Sequence, residues 1–201
     1  MSKYKTNKSE AEILPNKLGI KDIKAIQVEE LTGFVYAQVH FIHNLKQDTR
    51  FDLEYLYSIH GKALSHLYDF AGQTRQVDMS KGGFQFPSVK FLDENLQDFD
   101  NQKLKKFSEK FSSPHDFVAE CAHIHAELLF MHPFREGNGR TMRLFADLMA
   151  LHQGFREFNW GIILDNRKEE YITAVQCAGK LQYQPMIDLM TEAFNEKGSI
   201  L

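Results

Sequence analysis

Thirteen consecutive residues, Met131-His132-Pro133-Phe134-Arg135-Glu136-Gly137-Asn138-Gly139-Arg140-Thr141-Met142-Arg143, bring together a titratable base, a carboxylate, a glycine-rich turn and two arginines. His132 is the residue type that serves as a general base near neutral pH. Gly137-Asn138-Gly139 leads into a helical pattern, so main-chain N–H groups converge on an anion where the helix dipole is positive. Arg140 and Arg143 stand three apart, on one face of that helix, and can bracket further phosphate oxygens. Glu136 offers a hard oxygen ligand to Mg²⁺ just before the turn. Together these groups describe a phosphate-transfer site with a base, a metal ligand and an anion cradle. A purely structural turn would account for the glycines but not for His132, Glu136 and both arginines.

The elements that must position this site are mostly helices. Apolar spacing predicts a helix from about Asp22 to Leu45 and a second from Asp52 to Tyr68. Between Arg75 and Pro87 the period changes to alternation. Val77 and Met79 precede Gly82-Gly83, and Phe84 and Phe86 follow, the pattern of a hairpin with a glycine turn. Helical periodicity resumes from about Phe91 to Phe107. Ser113-Pro114-His115-Asp116 is a helix start, with a capping Ser, Pro at the first position and an acid in the first turn. The helix it opens is apolar nearly all round to Met131, which marks it as central and buried. Pro133 disfavours helix for the residue before it. From Asn138 to about His152 the pattern is amphipathic, with Leu144, Phe145, Leu148, Met149 and Leu151 on one side and Arg140, Arg143 and Asp147 on the other. Two further helices are predicted near 167–178 and 185–194.

Composition narrows the remaining possibilities. The 201 residues are 43% hydrophobic and 25% charged, which permits one full core. A formal net charge of −3 gives no bulk attraction to nucleic acid or anionic membranes. Cys121 and Cys177 lie in apolar helical patterns and read as buried free thiols in a reducing compartment. No apolar run reaches the ~18 residues of a membrane span, and the first residues lack a signal-peptide core. The expectation is a cytoplasmic chain with neither membrane nor nucleic-acid partners. His123 and His125 raise a transition-metal alternative, but residues two apart on a helix diverge by about 200° and cannot readily share one ion. His125 reads instead as a buried, hydrogen-bonded histidine.

The window around His132 resembles the Fic family signature, His-x-Phe-x-(Asp/Glu)-Gly-Asn-Gly-Arg-x-x-Arg, and matches it at every specified position: His132, Phe134, Glu136, Gly137, Asn138, Gly139, Arg140 and Arg143. The run from Phe70 to Arg75, followed by Met79 to Phe84, is also similar to a family segment, so the resemblance covers roughly residues 50–190. It implies a mainly α fold, a Fic-type helical core over 21–196 with a small β-hairpin flap beside the active site, preceded by a polar segment over 1–20. It further implies transfer of AMP from ATP to a Ser, Thr or Tyr hydroxyl of a target protein, with His132 as the base. Glu136 would hold Mg²⁺ between the α- and β-phosphates. Gly137, Asn138, Gly139, Arg140 and Arg143 would bind the ATP phosphates, and Phe134 would anchor the loop in the core. The flap, Val77, Asp78, Met79, Ser80, Lys81 and Gly82, would pair with the target's backbone as an added strand.

Related Doc toxins carry Lys where this chain has Gly139 and act as kinases, so Gly139 favours the AMP-transfer orientation. Phosphate transfer, another nucleotidyl transfer, and a non-catalytic nucleotide- or antitoxin-binding role remain the alternatives. Many Fic proteins are silenced by a (Ser/Thr)-x-x-x-Glu-(Gly/Asn) helix whose glutamate pairs with the second motif arginine, here Arg143. In this chain only Thr6-Asn7-Lys8-Ser9-Glu10 has the glutamate at that offset, and Ala11 follows it. The resemblance therefore implies a small antitoxin that supplies the inhibitory glutamate in trans, or a chain without that restraint.

Overall fold

The computed structural model describes residues 13–107 and 111–195. Among the described residues, eight α-helices follow one another, interrupted once by a two-stranded hairpin. Helix α1 (Ile23–His43) starts at Asp22, whose carboxylate accepts from the Ala25 N–H at 2.8 Å. Helix α2 (Leu53–Leu64) starts the same way at Asp52, which accepts from Tyr55 N–H at 2.9 Å. These caps satisfy N–H groups that the first helical turn leaves unpaired. The chain predicted as helical to Tyr68 leaves α2 at Leu64 and turns, with Leu67 and Tyr68 buried.

The α1–α2 crossing is close because of Gly33. A methyl group there would lie 2.0 Å from the Ala63 carbonyl oxygen and 2.6 Å from the His66 ring. Only a missing side chain allows the two backbones to approach this far.

The stretch predicted as one helix from Phe91 to Phe107 is broken. A 3-10 turn (Val89–Phe91) enters α3 (Leu92–Gln102), and a second 3-10 turn (Leu104–Lys106) closes it. Lys103 leaves helical geometry at φ −124°, ψ −61°, which lets Leu104 fold into the core at 2% exposure. Helix α4 (Pro114–Met131) begins at Ser113, whose hydroxyl accepts from Asp116 N–H at 3.1 Å. It runs through the middle of the molecule and packs on α5, α7 and α8. Helix α5 (Asn138–His152) lies against α1, α2 and α4.

After α5 comes a helix that the sequence pattern did not announce, α6 (Trp160–Asn166), then α7 (Lys168–Ala178) and α8 (Gln184–Asn195). Helix α6 has seven residues and no side-chain cap. Tertiary contact defines it: the Trp160 indole donates to the Asp147 carboxylate at 2.9 Å, and Asn159 N–H donates to the Ala193 carbonyl.

One contiguous core joins these helices, with linked aromatic rings at Phe51, Tyr55 and Phe145 and again at Phe117, Phe155, Phe158 and Phe194. Cys121 is buried and Cys177 half-buried, both as free thiols. Among the described residues no helix is long and apolar enough to cross a membrane. The hairpin pairs β1 (Ser80–Lys81) with β2 (Phe84–Gln85), Ser80 opposite Gln85 and Lys81 opposite Phe84. Gly82 and Gly83 have φ of +55° and +81°, the left-handed geometry that a two-residue hairpin turn requires. The strands are shorter than the alternation from Val77 to Phe86 suggests. One further bond, Phe86 N–H to the Met79 carbonyl at 3.1 Å, extends the pairing beyond them.

Candidate active site

The chain passes from α4 to α5 through the loop 132–137, and buried bonds fix nearly every turn of it. His132 caps α4 with φ 53° and ψ 59°, a left-handed conformation that is costly for a side chain with a Cβ. Its ring stacks on Phe86 of the hairpin, with centroids 3.8 Å apart. Nδ1 of His132 lies 3.1 Å from the Leu129 carbonyl oxygen. A carbonyl only accepts, so Nδ1 carries the proton and the lone pair is on Nε2. Burial pushes the imidazole down to about 3, with Lys81 and Arg75 acting in the same direction and the Leu129 bond opposing them. The ring is therefore neutral at physiological pH, in the tautomer that a base requires.

Asn138 holds the loop closed. Its Oδ1 accepts from Phe134 N–H at 2.9 Å and its Nδ2 donates to the Phe134 carbonyl at 2.7 Å. The side chain expected among the phosphate ligands is thus committed to the loop, and what Asn138 can offer an anion is its main-chain N–H. Phe134 is fully buried and stacks on His60, ring centroids 3.8 Å apart. His60 donates from Nε2 to the Glu136 carbonyl at 2.9 Å and accepts at Nδ1 from Gly72 N–H at 2.8 Å. Burial lowers it to about 4. His60 had no assigned role in the sequence reading, yet it joins α2, the Gly72 turn and the loop.

Gly137 precedes α5 with φ +76°, where a Cβ would press on Leu64 at 2.9 Å and Phe34 at 3.3 Å. No side chain caps α5, so its N-terminal turn presents main-chain donors. Gly139 lies under the Arg143 guanidinium, and a Cβ would meet Nη1 at 3.1 Å.

The polar side of α5 is not a solvent face. Arg140 donates to Glu30 of α1 at 2.7 Å, approaches Glu136 at 3.4 Å and covers the Phe34 ring at 4.9 Å. Glu30 is 5% exposed and also accepts from the Tyr68 hydroxyl at 2.6 Å. The positive Arg143 guanidinium favours the ionised form of the Tyr171 hydroxyl of α7 against the larger effect of burial, and that hydroxyl lies 2.6 Å from His125 Nε2. Asp147 is buried and accepts from Phe158 N–H and from the Trp160 indole. Burial raises it to about 8, against those two bonds. The amphipathic reading of α5 fails here because its polar residues find partners on α1, α6 and α7. Glu30 was legible as a carboxylate set among Ile26, Phe34, Ala37 and Phe41 on one helix face, where a charge must be paired.

Glu136 is 5% exposed, and its Oε1 accepts from Gly137 N–H at 2.9 Å. A carboxylate beside an uncapped helix N-terminus fits Mg²⁺ shared with phosphates, since that ion takes few protein ligands. No cluster of three or more His, Cys, Asp or Glu side chains suited to a metal occurs among the described residues. His123 stacks on Tyr183 while His125 bonds Tyr171, so the pair diverges as expected.

The hairpin is fastened to the loop by Arg75, 2% exposed and absent from the sequence-derived site. Its backbone N–H donates to the Pro133 carbonyl at 2.8 Å. Its Nε donates to His132 O at 2.9 Å, Nη1 to Val77 O at 2.7 Å, and Nη2 to Pro87 O at 2.5 Å and Met131 O at 3.5 Å. Of the flap residues, Met79 is buried against Phe86, whereas Val77, Asp78, Lys81 and Gly82 are exposed and Ser80 is half-buried. Asp78 accepts from Val89 N–H at 2.8 Å. Thr6–Glu10, where an inhibitory glutamate was sought, lies outside the described residues.

Residues 50–150 match the Fic/DOC family model. The chain belongs to that family. Its curated relatives include the protein adenylyltransferase VbhT of Bartonella schoenbuchensis, 30% identical over 73% of this chain and 30% of that protein. The probable protein adenylyltransferase Fic of Escherichia coli is 30% identical over 54% of each. The chain thus spans between about a third and a half of the length of these relatives. Among solved structures, the BepC effector of Bartonella tribocorum with bound AMPPNP superposes at a TM-score of 0.72, with 26% identity over 91% of this chain and 92% of that one. A Bartonella quintana Fic domain with bound ADP, at 24% identity and a TM-score of 0.76, shares the fold.

Two predictions test the clamps around the loop. Arg75→Lys keeps the charge but not the planar fork, and should lower unfolding free energy by about 2 kcal/mol or more. It should also speed amide exchange across 76–87; unchanged exchange there would contradict the clamp. His60 has a folded value below its ordinary 6.5, so it stabilises the fold above pH 6.5 and that contribution is lost as pH falls toward 4. The stability advantage of wild type over His60→Phe in urea melts should shrink by about 3 kcal/mol between pH 7 and pH 4. A constant difference would show that His60 is not held neutral.

Proposed function

We propose that this chain transfers AMP from ATP to a hydroxyl side chain of a target protein and releases pyrophosphate. The observation that carries the reading is the His132 tautomer: Nδ1–H is committed to the Leu129 carbonyl, which puts the lone pair on Nε2, in the loop that leads into the uncapped start of α5. Nε2 takes the proton of the target hydroxyl as its oxygen attacks the α-phosphorus, and the bond from that phosphorus to the β-phosphate bridging oxygen breaks. The first main-chain N–H groups of α5, with Arg140 and Arg143, bind the phosphates. Glu136 would hold Mg²⁺, which when bound neutralises charge on the phosphate oxygens. AMPPNP bound to BepC and the adenylyltransferase names of the curated relatives support ATP as the nucleotide.

The hairpin edge would align the target by main-chain pairing while Met79, Phe84 and Phe86 anchor the hairpin from below. Arg143 is also where an inhibitory carboxylate from a separate small protein would compete with phosphate.

Incubation with ATP and a cell lysate, alongside nucleotide titration calorimetry, tests the assignment. His132→Ala should reduce transfer by roughly 10²-fold or more and leave nucleotide affinity within a factor of about two. Arg143→Ala should weaken affinity by about tenfold. Wild-type labelling by His132→Ala would remove it as the base.

A further inference from the structure

Helix α1 is apolar on two opposite faces. Its inner face, Ile26, Phe34, Ala37 and Phe41, is buried. Its outer face carries Val28 at 59% exposure, Leu31 at 59%, Val35 at 51%, Val39 at 63% and Ile42 at 40%, with Tyr36 at 70% on its border. At 100° per residue these five aliphatic side chains fall within an arc of about 80°, a continuous stripe about 21 Å long. A helix that is apolar all round is ordinarily covered on every side, and an exposed aliphatic stripe of this length marks an interaction site.

The spacing selects the occupant. The intervals along the stripe are three, four, four and three, symmetric about Val35. When two copies of α1 are laid antiparallel about a twofold axis at Val35, Val28 faces Ile42, Leu31 faces Val39, and Val35 faces Val35 of the second copy. An isologous interface needs such a self-complementary patch, and an arbitrary partner does not. No charged side chain interrupts the stripe. The apolar area that two copies would cover is on the order of 1,000 Å², the lower bound for a specific interface.

We propose that α1 is a homodimerisation helix, pairing antiparallel with α1 of a second copy through Val28, Leu31, Val35, Val39 and Ile42. This is independent of the AMP-transfer reading. Glu30 lies about 140° around the helix from Val35, so pairing leaves the Glu30–Arg140 contact in place.

Sedimentation equilibrium of the full chain at micromolar concentration should give a dimer. Val35→Lys and Val35→Glu should each sediment as monomers with wild-type circular dichroism and wild-type nucleotide affinity. Mixing the two variants should restore the dimer, because position 35 faces itself across the axis. Chains with Val28→Cys should cross-link under oxidation to chains with Ile42→Cys in preference to their own kind. A monomeric wild type, including one that sediments with phosphatidylcholine–phosphatidylglycerol vesicles through this stripe, would overturn the proposal. So would a dimer that both charged variants retain, or cross-linking of Val28→Cys chains to themselves.

Discussion

A buried guanidinium facing main-chain carbonyls ties the site together. Arg75 donates to oxygens on both sides of the gap between hairpin and loop: Val77 and Pro87 on one side, Met131 and His132 on the other. Burying the charge is costly, and desolvation lowers its proton affinity. The cost is offset because each carbonyl would otherwise be turned from water without a donor. His132 needs this support: its left-handed backbone persists only where neighbours over-determine it. Phe86 stacked on its ring and Arg75 bonded to its carbonyl are those neighbours. The hairpin and His132 are therefore one mechanical unit, so on the proposed reading a strand added to the hairpin edge would be registered against the His132 ring.

The phosphate end of the site has its own charge balance. Arg140 is shared between Glu30 and Glu136, and Arg143 faces the Tyr171 hydroxyl electrostatically. On the proposed reading, an incoming polyphosphate would compete with Glu30 for Arg140, so the arginine would be preorganised at some expense of affinity. Tyr68 donates to Glu30 and keeps that carboxylate oriented, which makes α1 part of the site although no residue of α1 belongs to the motif.

Much of this was legible in the sequence, and the reasons for the remainder are physical. Local signals carried α1, α2 and α4: apolar spacing marked the first two, and Ser113 marked α4 as a cap that acts within three residues. The glycine turn of the hairpin was legible for the same reason. Helix α6 was not, since its geometry is set by the Asp147–Trp160 bond across 13 residues. Within the candidate site, motif spacing singled out His132, Glu136 and the arginines, and the structure gathers them in and around the loop 132–137 and the first turns of α5. Arg75, His60 and Tyr171 escaped notice because their roles rest on contacts that a linear pattern does not encode, whereas Glu30, set on the apolar face of α1, carried a readable signal. Asn138 carries a role the motif spacing did not reveal: its side chain closes the loop on Phe134, which leaves its main-chain N–H to face an anion.

The central claim, that Nε2 of His132 directs a protein hydroxyl to the α-phosphorus of ATP, is tested most directly by the position of the label. Parallel reactions use ATP labelled at the α- or the γ-phosphorus, with the modified protein isolated after removal of free nucleotide. Label from the α position should be retained on the protein, and label from the γ position should leave as pyrophosphate. Retention of γ label without α label would contradict the claim and assign the site to phosphate transfer.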